Sequence, residues 1–214
     1  MDEFTKAIFV GELQTQCRFA LNAVGQLNFS LQQVNLRELE REKREYFHSE
    51  VFRGIHSFLT HASIISKILW PASPKKDLSQ PKKQYEQRKR ATARGEELRQ
   101  ELGLLGEHIL KNRRLRDHLE HFDERIDDWA EHSQNRNFAQ DIIGPENAIV
   151  GLAKTDTMRW FNPTNGTFLF RGETFSLQEI AAVLDKLLPV LAVKKQELWQ
   201  RQITVGRDKT TKSL

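Results

Sequence analysis

The chain has 214 residues, 38% of them hydrophobic and 29% charged, with a net charge of +4. That is enough length for one domain with an appended subdomain, and the composition is that of a folded, polar-surfaced chain rather than a disordered one. No run approaches the roughly eighteen apolar residues needed to cross a bilayer. Met1-Asp-Glu-Phe-Thr lacks the layout of a signal peptide, and the lone Cys17 excludes an internal disulfide or a cysteine-based zinc centre. The expectation is a soluble, cytoplasmic protein without a membrane partner.

The first predicted element is a helix. Val10, Leu13, Cys17, Leu21, Val24 and Leu27 recur every three or four residues, the spacing of one helical face. Phe47, Val51, Ile55, Phe58, Ala62, Ile65 and Leu69 predict a second long helix, stopped by Pro71 and Pro74. His56 and His61 lie within this apolar pattern and read as packed residues rather than ligands.

A basic loop is predicted next, over residues 71–94. Residues 75–94 carry eight basic side chains (Lys75, Lys76, Lys82, Lys83, Arg88, Lys89, Arg90 and Arg94) against two acids, Asp77 and Glu86. That surplus of six leaves the rest of the chain at −2, so the basicity is local. Such a strip can contact phosphates, and Lys82, Lys83, Arg88 and Arg90 are its candidate RNA-binding residues. A solubilising loop is the plainer reading. Helical character is expected again from Tyr85 through "ARGEELRQELGL", loosened by Gly103 and Gly106.

"LRDHLEHFDERIDDW", Leu115 to Trp129, packs two histidines, two arginines and six acids into fifteen residues. Leu115, Leu119, Phe122, Ile126 and Trp129 are spaced four, three, four and three, which predicts one continuous helix with that stripe toward a core. His118 and Arg125 then flank the stripe, while Asp117, Glu120, His121 and Glu124 point away from it. Asp117 and His121, four apart, are placed for the carboxylate to orient the imidazole. A metal site is a second chemical reading, since His118 and His121 are three apart. A di-iron bundle, however, needs two Glu-x-x-His motifs, and only Glu45-Tyr46-Phe47-His48 has that spacing. Neither a metal nor any other cofactor is expected.

Arg116-Asp-His-Leu-Glu-His121 resembles the R-x4-H signature of the HEPN superfamily, whose second position is usually polar, as Asp117 is here. The resemblance implies an α-helical bundle, commonly dimeric, acting as a metal-independent ribonuclease. Arg116 and His121 would be its catalytic pair, from both copies at the dimer interface, with Asp117 beside them. Asp123 stands where some members carry a tyrosine. The resemblance also implies RNA as substrate and a cognate regulator or antitoxin as a possible partner. Histidine exchanges protons near neutral pH, and arginine holds a phosphate while its charge builds.

After about residue 135 the texture changes. "TMRWFN" and "TFLFRG" flank Pro163-Thr164-Asn165-Gly166 and predict strands near 157–162 and 167–170 joined as a hairpin. Ser176 and Glu179 fit a capping box opening a last helix, which runs toward Trp199 with Pro189 inside it.

The expected architecture is thus an all-α helical bundle over 1–134, a hairpin-plus-helix extension over 135–202 packed on it, and a flexible tail over 203–214. The function expected is cleavage of RNA through Arg116 and His121 in a homodimer. The alternative is a non-catalytic helical interaction or RNA-binding module, whose charged helix face is simply solvated.

Overall fold

The computed structural model describes residues 1–74, 81–112, 114, 120–146 and 148–211. It is mostly helical with one small sheet. Among the described residues the α-helices are α1 (Glu3–Val34), α2 (Arg41–Leu69), α3 (Lys82–Leu102), α4 (Phe122–His132) and α5 (Leu177–Thr211). Single 3-10 turns occupy Ile109–Lys111 and Lys154–Asp156. No described helix is long and apolar enough to cross a membrane.

Two compact units are distinguished, both discontinuous in sequence. Met1–Phe19, His61–Lys111 and Leu184–Leu214 form the first; Ala20–Thr60 and Asn112–Val183 form the second. The expected boundary at residues 134 and 135 therefore falls inside the second unit, and α1, α2 and α5 each contribute a segment to both.

The first unit is built on the predicted helical periodicity. Val10, Leu13 and Cys17 of α1 are fully buried, as are Ile65 and Leu69 of α2, Leu98 of α3 and Leu191 and Leu198 of α5. Burial pushes the Cys17 thiol up to about 12. Pro71 ends α2 after Leu69 as expected. Gly103 closes α3 in the left-handed conformation, φ 68°, with its N–H on the Gln100 carbonyl. His61 is a packed residue, its Nδ1 donating to Oε1 of the buried Gln16 at 2.7 Å. The tail is more regular than expected, because α5 continues through Pro189 as far as Thr211.

In the second unit the expected hairpin is present but belongs to a four-stranded sheet, in the order β1 (Ile142–Ile143), β2 (Trp160–Asn162), β3 (Thr167–Phe170) and β4 (Glu173–Ser176). β1 pairs with β2 in parallel, while β2, β3 and β4 form an antiparallel meander with Phe161 opposite Phe168 and Phe168 opposite Phe175. The β2–β3 turn is held by side chains: Asn162 Oδ1 accepts from the Thr164 N–H, and Asn165 Oδ1 accepts from the Thr167 N–H. Gly166 takes φ 63° there. Arg171 and Gly172, both at positive φ, turn β3 into β4. Phe168, Leu169 and Phe170 are all buried, so the central strand is covered on both faces. Val51, Ile55 and Phe58 of α2 contribute to the same unit's core.

Candidate functional site

The Leu115–Trp129 stretch is not one uninterrupted helix. α4 begins at Phe122, and His121 precedes it as the cap residue with φ −115° and ψ 42°, outside helical geometry. Two forces favour a start here. Asp123 and Glu124 lie in the first turn, where carboxylates meet the positive end of the helix dipole. Phe122 is also fixed against the sheet, its ring edge-on to Phe170 of β3 at 5.8 Å.

The described part of the predicted stripe, Phe122, Ile126 and Trp129, is only half covered. No residue of α4 is buried, and Ile126 is 36% exposed. Trp129 packs edge-on to Phe138, its Nε1 donating to the Asn137 carbonyl at 2.9 Å. A further tie comes from the β3–β4 turn, where Arg171 donates to the Asp128 carboxylate and to the Thr155 carbonyl. The Arg171 hydrogen bond holds Asp128 below the usual carboxylate range. The helix is therefore attached at its two ends and at Asp128, and Ile126 in its middle is exposed.

His121 is exposed, as the sequence reading places it. Its Nδ1 lies 2.9 Å from Oε1 of Glu124, three residues on. The expected orienting partner, Asp117, lies outside the described residues with Arg116, His118, Leu115 and Leu119. The described part of the site is thus an imidazole half open to solvent with one nitrogen engaged by a carboxylate. The Glu124 contact engages Nδ1 and not Nε2.

The helix expected from Tyr85 begins earlier, at Lys82, so Lys82 and Lys83 are helical, like Arg88 and Arg90, rather than part of a loop. Pro81 precedes the first residue of α3, where a fixed φ and a missing N–H are tolerated. Lys82, Lys83, Lys89 and Arg90 are exposed, and Arg88 is half-buried. Lys82, Lys83, Glu86, Gln87 and Arg90 line a surface hollow of about 650 Å³. Lys75 and Lys76 lie outside the described residues.

A cluster that sequence reasoning passed over meets Phe122, the residue after His121. Arg159, the residue before β2, pairs with Asp141 through Nε at 2.6 Å and Nη2 at 3.0 Å. Its guanidinium carbon lies 5.1 Å from the centre of the Phe122 ring. Its Nη1 is 3.4 Å from Nε2 of His56 on α2. His56, expected from the sequence to be a packed residue, is half-buried and also faces this guanidinium. Arg159 was legible only as a charge in a strand-like run, because its partners lie 18 and 103 residues away.

No protein-family model, curated protein or solved structure matches the chain.

Proposed function

We propose that the protein is a metal-independent endoribonuclease of the HEPN kind, working through His121 and Arg116. The observation that carries this reading is the exposed His121 imidazole, fixed through Nδ1 by Glu124 at the start of α4 and embedded in R-x4-H. In the proposed reaction an imidazole Nε2 takes the proton of a ribose 2′-hydroxyl. The freed oxygen attacks the adjacent phosphorus, and the 5′-oxygen leaves with a proton from a second imidazole, giving a 2′,3′-cyclic phosphate. Arg116 neutralises the phosphorane charge. Two copies of the chain supply the two imidazoles. The half-covered face of α4, with Ile126 and Phe138 exposed, is the surface proposed for that contact.

The test is cleavage of single-stranded RNA with and without chelator. Wild type should cut in both conditions to a cyclic-phosphate end, and His121→Ala should fall by roughly a hundredfold or more at an unchanged melting temperature. Light scattering should report a dimer at micromolar concentration. Equal cutting by His121→Ala would remove the residue from the chemistry. A wild type that cuts no RNA would leave the second reading, a binding module presenting the half-covered α4 to a partner.

A further inference from the structure

The placement of His121 depends on a neighbour with no part in the proposed proton transfer. His121 is the residue before α4, and its ring is held to α4's own first turn through Glu124. That turn meets the sheet through Phe122. One side of the Phe122 ring meets Phe170, which is fully buried and cannot yield. The guanidinium of Arg159 lies over the ring as well. Arg159 is itself held to Asp141 by a hydrogen bond from Nη2 to Oδ2 at 3.0 Å and by the ion-pair approach of Nε to Oδ1 at 2.6 Å, presenting a planar guanidinium that lysine does not reproduce. Asp141 holds φ 58°, a left-handed conformation that aspartate tolerates better than most side chains.

His56 reads onto the same guanidinium. Arginine has only donors, so at 3.4 Å from Arg159 Nη1 the His56 Nε2 must be the acceptor, and the ring is neutral with its proton on Nδ1. Protonating Nε2 removes that acceptor and sets two cations against each other. The charged groups facing His56 are Arg159, ahead of β2, and Asp141, ahead of β1. On its own helix the neighbouring Arg53 is exposed and paired with Glu50.

We propose that Arg159 is a positioning residue for His121, acting through Phe122, and that protonation of His56 loosens it, so that the site disorders in acid. The positioning role rests on the ribonuclease reading; the clamp itself does not. Burial first, and then the Arg159 charge, hold His56 below the ordinary histidine range, while Asp141 opposes them. A base depressed in the folded state binds fewer protons there than when unfolded. Its contribution is therefore complete above the ordinary histidine range and is lost as pH falls through the lower folded value. The clamp is closed at neutral pH and opens on the acid side.

The test reads structure and catalysis separately. Amide-exchange protection at Arg125, whose N–H donates to the His121 carbonyl at 3.1 Å across α4's first turn, and the ring-nitrogen resonances of His121 are followed from neutral to acid pH in the full chain. Wild type should lose protection in α4's first turn by roughly threefold as His56 protonates, the scale of one lost cation–π contact. His56→Gln, whose amide oxygen can still accept from Arg159, should keep that protection at every pH. Arg159→Lys should show the low protection throughout, with a melting curve that confirms folding. Where RNA is cut, His56→Gln should extend activity into acid. Arg159→Lys should lower kcat with little change in KM. Identical pH dependence in wild type and His56→Gln would overturn the proposal. So would full protection in Arg159→Lys. Absence of cleavage with the exchange pattern intact would overturn the ribonuclease reading alone.

Discussion

A methyl group added at two helical glycines gives opposite outcomes, because the space around them differs. In α1, a Cβ at Gly25 would meet nothing within 4 Å. Gly25→Ala should therefore raise stability by up to about 1 kcal/mol, the difference in helix propensity. In α3, a Cβ at Gly95 would lie 2.7 Å from the Leu69 carbonyl oxygen and 2.7 Å from Cδ of Pro71. One obstacle is backbone and the other a closed ring, so neither can swing aside. Overpacking of this kind costs about 1–3 kcal/mol, more than the propensity gain returns. Gly95→Ala should melt below wild type and Gly25→Ala above it. The same sign for both would mean that α3 does not approach the end of α2 this closely. Gly95 could be flagged from the sequence only as a helical glycine, because its reason is a contact 24 or more residues away.

At the scale of elements, what could be read in advance was what repeats or punctuates locally. The faces of α1 and α2, the stop at Pro71 and the Pro163–Gly166 turn all depend on residues within a few positions of one another. The same is true of the cap that opens α5. Ser176 Oγ accepts the Glu179 N–H at 3.1 Å, so Ser176→Ala should cost about 1 kcal/mol, read as a lower denaturation midpoint with an unchanged slope. No loss would mean that the strand preceding α5 fixes its start without the cap. Strand β4 escaped because Arg171-Gly172 is a weaker hairpin signal than Asn-Gly, although both residues adopt the positive φ that such turns require. Strand β1 has two residues, too few to show any alternation. The start of α4 escaped for a tertiary reason: the helical spacing continues through His121, and Phe122 meeting Phe170 belongs to long-range packing. Of the candidate site, the exposure of His121 was legible, while the Glu124 pairing and the Arg159 clamp were not.

For the whole molecule, the distribution of charge carries more information than its total. A net +4 would give any polyanion weak, diffuse attraction, but the surplus of six within residues 75–94 against −2 elsewhere concentrates it on and just before α3. Lys82, Lys83 and Arg90 share one hollow with the acid Glu86, and Arg88 lies half-buried on the same helix. Ammonium and guanidinium groups on a helical surface bind phosphates and release the counterions those phosphates had condensed, without reading bases. Each phosphate neutralised on a single strand contributes about 0.7 to the slope of log K against log salt. Replacing Lys82, Lys83, Arg88 and Arg90 with glutamine should therefore flatten that slope by up to about 3, if all four make contact. It should weaken the proposed RNA binding uniformly across sequences and leave the exchange protection of α4 unchanged. The measurement is a fluorescence-anisotropy titration of one RNA at several salt concentrations. A quadruple variant with the wild-type slope would show that α3 carries its charge for solubility and would remove it as the proposed RNA-binding surface.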